Sequence, residues 1–182
     1  MKGFQRRDLA FSLCGLNCAL CPMYLGGHCP GCGGGAGNQS CKIARCGMEH
    51  NGIEYCFRCG EFPCGRYDGI DRFDSFITHQ RRRADMERAR EIGPERYGAE
   101  LAEKAKILRF LLENFNDGRR KTLFCVGVNL LDLETLRGIT ARLTETAEPK
   151  GLSLKERSSY AAELFQAAAK QLGIELKLRK KK

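Results

Sequence analysis

Residues 12–33 read SLCGLNCALCPMYLGGHCPGCG. Five cysteines fall in that stretch, Cys14, Cys18, Cys21, Cys29 and Cys32, and they include two Cys-x-x-Cys pairs. The series runs on through Cys41, Cys46, Cys56, Cys59 and Cys64. Ten of the eleven cysteines in a chain of 182 residues therefore lie between Cys14 and Cys64, and Cys125 stands apart.

A Cys-x-x-Cys pair lets one tight turn offer two thiolates to a single ion. Cys29-Pro30-Gly31-Cys32-Gly33 is the most informative of these pairs. Proline presets the turn, and glycine lets the chain curl so that backbone N–H groups face the sulfurs and disperse their charge. This is the knuckle of zinc ribbons and rubredoxin-like iron sites. Cys56-Phe57-Arg58-Cys59-Gly60 repeats it, Cys18/Cys21 is a third pair, and Cys41/Cys46 is a looser fourth. All ten cysteines from Cys14 to Cys64 are candidate metal ligands.

A closed zinc site takes four ligands. Ten cysteines fill two all-cysteine sites with two thiols over; His28 and His50 raise the candidates to twelve, enough for three sites. Each histidine reads equally well as a surface residue beside glycines. Four thiolates around one divalent zinc leave a site at −2, so two such sites would lower the formal charge of +9 to +5.

Other chemistries compete for these cysteines. Lasting disulfides need an oxidising compartment. Arg6-Arg7 with the following apolar stretch imitates an export signal, but Asp8 interrupts it and the segment runs straight into the cysteines, so the reading is cytoplasmic. Cys14, Cys18 and Cys21 spell the C-x3-C-x2-C of radical enzymes that use S-adenosylmethionine. That chemistry belongs to a large α/β barrel, which this pattern does not offer. An iron–sulfur cluster is the main alternative to zinc, since Cys-Pro follows ferredoxin usage while the spacing does not. The glycines of residues 31–41, GCGGGAGNQSC, read as a flexible link between ligands. No strand precedes them and no Gly-Lys-Ser/Thr follows, as a phosphate loop requires.

Beyond the cysteines the chain turns helical. A hydrophobic content of 42% with 29% charged residues is that of a globular protein. No apolar run approaches the roughly 20 residues that span a bilayer, so no membrane partner is expected. Residues 74–92 have helix-forming content but a thin apolar face, and Gly93-Pro94 interrupts them. Leu101, Ala105, Leu108, Leu112 and Phe115 form one buried stripe of an amphipathic helix. KTLFCVGVNLL, residues 121–131, is apolar throughout and reads as helix or strand. Cys125 within it reads as a buried structural thiol.

Asp132 caps a helix to about Thr144, with Leu133, Leu136, Ile139 and Leu143 inward. Ser153 and Glu156 spell a capping box for a helix carrying Tyr160, Leu164, Phe165, Ala168 and Leu172, which Gly173 ends. Ile174, Leu176 and Leu178 alternate with charged residues as a short strand does, and residues 122–128 or the cysteine module are its expected partner. Basic runs lie at Arg81-Arg82-Arg83 and from Lys177 to Lys182. They read as a solvated helix face and a basic tail rather than a nucleic-acid surface, because no aromatic residues are interleaved with them.

CGLNCALCPMY (14–24), CPGC (29–32), the Cys41/Cys46 pair and IEYCFRCGEFPC (53–64) resemble the cysteine-rich family of domains of unknown function 3795, from bacteria and archaea. DGRRKTLFCVGVNLL (117–131) is similar to longer members. The resemblance implies a zinc-binding protein and supplies no reaction, substrate or catalytic residue.

The expected fold is therefore α+β but mostly α. A zinc-ribbon-like, irregular metal-knuckle module over residues 1–70 packs on a helical unit over residues 71–182 that carries a short strand pair. Two or more zinc ions organise the module, because about 50 glycine-rich residues bury too little apolar surface to fold alone. The expected role is interaction or regulation through a protein partner, with no catalytic residues. An iron–sulfur redox protein and a nucleic-acid-binding zinc module are the alternatives. The oligomeric state is left open.

Overall fold

The structure is a computed structural model that describes residues 2–35, 41–147 and 151–181. Among the described residues there are seven α-helices: α1 (Pro22–Leu25), α2 (Lys42–Glu49), α3 (Arg82–Ile92), α4 (Pro94–Asn114), α5 (Lys121–Leu130), α6 (Leu133–Ala147) and α7 (Leu154–Gln171). Single 3-10 turns lie at Cys18–Leu20, Cys56–Arg58 and Gly65–Tyr67. The glycine-rich link expected between Cys32 and Cys41 falls partly on residues 36–40, outside the described residues.

The chain divides into two compact units, Met1–Leu101 with Arg179–Lys182, and Ala102–Leu178. The division falls inside α4. All ten clustered cysteines belong to the first unit, whose cysteine region is loop, 3-10 turn and two short helices. Its apolar interior is small. Phe11, Leu13, Leu20, Met86, Ala89 and Leu101 are its most buried members, and Tyr97 is buried beside them. The Phe11 ring meets those of Tyr97 and Tyr55 at centroid distances of 4.7 and 5.9 Å.

A second cluster, Phe4, Leu13 and Ala44, is flanked by Cys32, Cys41, Ile43, Met48, Ile53 and Cys56. Three of those six flanking side chains are cysteines, so sulfur stands where a larger domain would place aliphatic carbon. Asn17, itself buried, joins the cysteine region to the helices of this unit. Its amide donates to Asp85 Oδ2 at 2.9 Å and its carbonyl accepts from the Tyr97 hydroxyl at 2.8 Å.

The second unit is built from the rest of α4 with α5, α6 and α7. α5 is buried from Phe124 to Leu130, which explains why its sequence shows no polar face. Phe124 and Phe165 pack at 5.6 Å, and α5 approaches α7 closely at Gly127, where a Cβ would lie 2.4 Å from Phe165 Cδ1. Asp132 accepts from Thr135 N at 2.8 Å at the start of α6. The Ser153/Glu156 capping box opens α7 with both of its hydrogen bonds formed. Leu136, Ile139 and Leu143 face inward. On α7 the buried face is Ser158, Ala161, Ala162, Phe165 and Ala169, with Leu164 and Ala168 half-buried and Leu172 exposed.

The α+β class with a strand pair is overturned: among the described residues the fold is helical, with no strand. Residues 122–128, the expected partner, lie within α5, so their backbone groups are already spent inside a helix. Residues 174–178 satisfy their own polar groups in another way. Gly173 takes φ +66°, the Ile174 N–H returns to Ala169 O at 2.8 Å, and the Lys177 N–H bonds Glu175 O at 3.0 Å. Alternation over five residues was real in the sequence but marked a helix C-cap and its exit.

The helix expected over 74–92 begins only at Arg82. Asp74 explains the delay, because its carboxylate accepts the His79 and Arg179 N–H groups, each at 2.7 Å, and holds the preceding residues in a loop.

Candidate metal centre

The knuckles form as turns. The Cys21 N–H bonds Cys18 O at 2.9 Å and the Cys59 N–H bonds Cys56 O at 3.0 Å, so each pair brackets one 3-10 turn. Gly31 takes φ +88°, and a Cβ there would lie 2.6 Å from Leu9 O. Only glycine fits at position 31 of this knuckle. Gly15, after Cys14, takes φ +95° and sits where a Cβ would strike Arg82 O at 2.1 Å. Ser12 ties this loop by accepting the Leu16 N–H on its hydroxyl at 2.6 Å.

Cys14, Cys21 and Cys32 each act electrostatically on Cys18. Burial pushes the Cys18 thiol up to about 12, and the charges of Cys32, Cys14 and Cys21 push in the same direction, against a hydrogen bond from the Cys32 backbone. The Cys32 thiol is raised by burial and then by Cys14, against the Leu13 backbone and Arg6. Such thiols stay protonated unless a cation takes the place of their protons.

Two arginines serve this group. Arg82 Nη2 lies 2.6 Å from Cys14 Sγ, with Ser12 Oγ 3.3 Å from the same sulfur. Burial alone would lower the Arg82 pKa, but Cys14 beside it raises it, so the guanidinium is held charged. Arg6 is buried and donates to Glu54 O at 3.0 Å, Phe11 O at 3.0 Å and Cys32 O at 3.3 Å, while its second terminal nitrogen meets the Glu54 carboxylate at 3.4 Å. It thereby pins the Cys32 knuckle to the N-terminal segment and to the residues before Cys56.

A second set of sulfurs, Cys46, Cys56, Cys59 and Cys64, lines one hollow together with Glu61 and Tyr67. Burial pushes the Cys56 thiol up to about 12; the neighbouring Tyr67 hydroxyl opposes the rise, and Cys14, Cys64 and Cys46 add to it. Tyr67 is in turn held well above its ordinary value by burial and by Cys56. Cys41 immediately precedes α2 and packs on the small apolar cluster. The Cys29 N–H bonds Met23 O at 3.1 Å at the end of the turn after α1. Cys125 is buried within α5 of the second unit.

His50 stands at the C-terminus of α2, its Nδ1 2.9 Å from Cys46 O and 3.7 Å from Cys46 Sγ. One donor atom from each of His50, Cys59 and Glu61 lies within 4.8 Å of the others. Sequence reading did not single out Glu61 or Arg82. Glu61 carried a signal, since a carboxylate two residues after a knuckle shares its turn. Arg82 carried none, because its approach to Cys14 spans 68 positions and was read as part of a solvated arginine run. That run is spent within the chain: Arg81 pairs with Asp85 at 3.2 Å and Arg83 with Glu87 at 2.9 Å. Among the described residues no helix is long and apolar enough to cross a membrane.

No family model, curated protein or solved structure matches this chain.

Proposed function

We propose that the chain is a zinc-binding protein whose metal is mainly structural, with an interaction or regulatory role rather than a catalytic one. One observation carries the reading: knuckles far apart in sequence meet, with Cys32, Cys14 and Cys21 all acting on a Cys18 thiol that burial raises, and with Arg82 Nη2 2.6 Å from Cys14 Sγ. Thiols brought together in this way are stabilised by a divalent soft-to-borderline cation, which four thiolates close tetrahedrally. The hollow lined by Cys46, Cys56, Cys59 and Cys64 offers candidate ligands from which a further ion can draw. Kinship with the cysteine-rich family 3795 belongs to the same proposal and rests on the ordered cysteine series alone. So does a cytoplasmic location, which keeps these thiols reduced.

Zinc is preferred because the thiols occur as turn-bracketing pairs, the arrangement of closed structural zinc. An iron–sulfur cluster is the second reading, favoured by the all-sulfur character of the first set. Elemental analysis with an absorption spectrum of anaerobically purified protein decides between them. The zinc reading expects two or more zinc equivalents and no visible colour. A brown protein containing iron and sulfide establishes the second reading, and a chain that carries no metal at all ends both.

A further inference from the structure

The histidine and carboxylate beside the second set of sulfurs give one of the centres a different chemistry. Resting on the reading that these cysteines hold zinc, we propose that His50, Cys59 and Glu61 form a mixed-ligand zinc site with an exchangeable fourth position, and that it surrenders its ion before the four-sulfur group does.

The placement comes from three local structures. His50 ends α2, where its backbone N–H bonds Cys46 O at 3.0 Å and its ring Nδ1 lies 2.9 Å from the same oxygen. A carbonyl only accepts, so Nδ1 carries the proton and Nε2 keeps its lone pair. This is how zinc-binding imidazoles are oriented: the non-ligating nitrogen donates to a carbonyl, which fixes the tautomer and aims the ring. Cys59 closes the second knuckle. The Phe62 N–H then bonds Cys59 O at 3.2 Å, a turn that brings Glu61 back beside the sulfur. Donor atoms of the three residues lie within 4.8 Å of one another, and small side-chain rotations close that spacing around an ion with bonds of about 2.0–2.3 Å.

Imidazole nitrogen, thiolate and carboxylate oxygen are all zinc ligands, and three protein ligands with one open position is the exchangeable rather than the closed arrangement. Glu61 is exposed, and among the described residues no ion pair engages its carboxylate. It can therefore leave for water while His50 and Cys59 stay. The four-sulfur group has no such exposed oxygen ligand. Cys14 is buried and held by Arg82. The mixed site thus has the properties of a position from which zinc is delivered or withdrawn without dismantling the other centre.

The test follows zinc release from the intact, zinc-loaded chain to a colorimetric chelator, with native mass spectrometry of the metal count. The unmutated protein should release zinc in two phases. His50→Ala should lack the fast phase and carry about one ion fewer, and Glu61→Gln should release that ion at least about tenfold faster. Both should keep the slow phase. Imidazole nitrogen NMR on the unmutated chain needs no variant to fold: the His50 Nε2 resonance should move when the fast-phase zinc leaves. A variant count and release profile equal to the unmutated protein's, or an Nε2 resonance indifferent to zinc, overturns the mixed site alone. An unmutated chain that holds no zinc overturns this proposal together with the preceding one.

Discussion

Arg82 Nη2 lies 2.6 Å from the Cys14 sulfur and so joins the first residue of α3 to a thiol 68 positions earlier. Cys14 is only 6% exposed, so its charge as a thiolate has little water to stabilise it. A guanidinium at hydrogen-bond distance supplies that stabilisation, and hydrogen bonds to charged groups are the strong ones. Arg82→Met should therefore weaken zinc retention at the four-sulfur group about 10–100-fold, as loss of an outer partner commonly does. Arg82→Lys should recover little, because Arg82 also reaches Ile70 O at 3.4 Å with its other terminal nitrogen, and an ammonium cannot make both contacts from one rigid plane. Chelator competition on the three proteins measures the effect. Equal affinities would mean the contact is incidental to the metal.

Removing the metal should act unevenly along the chain. A structural zinc site contributes on the order of 10 kcal/mol, comparable to the roughly 5–15 kcal/mol that holds a whole domain together. The cysteine region has few fully buried large side chains of its own, Phe11, Leu13 and Leu20 chief among them, so it has little to replace that sum. The second unit carries Phe124, Val126, Leu136, Leu143 and Phe165, all fully buried and none dependent on a ligand. Hydrogen exchange after chelation should show protection lost across residues 12–67 and kept across residues 121–171. Uniform loss, or none, would contradict this division of roles.

The helical unit was legible where the chain solves its own local problem. The capping box at Ser153 and Glu156, the cap at Asp132 and the break at Gly93-Pro94 all stand as written, because each is settled within a few residues. The strand at 174–178 was misread for the same reason that makes short alternation weak. Five residues alternating in polarity fit a helix exit as well as a strand, and only the absence of a partner decides. At the site, the Cys-x-x-Cys pairs announced which thiols share a turn. They could not announce that Cys32 returns to Cys18, or that Arg82 and Asn17 reach between the cysteine loops and the helices of the first unit, since those distances are set by tertiary packing.

Two glycines of the second unit separate packing from propensity. At Gly127 in α5 a Cβ would lie 2.4 Å from Phe165 Cδ1, whereas at Gly138 in α6 a Cβ meets nothing within 4 Å. Gly127→Ala should cost about 1–3 kcal/mol through overpacking. Gly138→Ala should gain up to about 1 kcal/mol, since glycine in a helix interior is the poorer choice. Chemical denaturation of the two variants gives the comparison, and zinc content should be the same in both. A stabilising Gly127→Ala would show that α5 and α7 have slack the packing does not suggest.

Asp74 and His79 should give the stability an acid limb with two steps of different origin. Burial alone would raise the Asp74 pKa, but the N–H groups of Arg179 and His79 outweigh it and hold the carboxyl below its ordinary range. An unfolded Asp takes up a proton near pH 3.9 while the folded one resists, so this contribution is present above about 3.9 and disappears as pH falls through the lower folded value. His79 is depressed by burial and then by the charge of Arg82, with Asp74 opposing. Its folded state prefers the neutral ring, so stability erodes as pH falls below the unfolded value near 6.5 and the unfolded chain gains a proton the folded one refuses. Denaturation midpoints between pH 8 and about 3 should therefore show His79→Gln lacking the upper step and Asp74→Asn lacking the lower one. Asp74→Asn should also lose about 1–3 kcal/mol near neutrality, because an amide cannot accept from both N–H groups as a carboxylate does. Loss of the proposed zinc in acid would be common to all three proteins, so the differences between them isolate these two groups. Three superimposable profiles would refute both assignments.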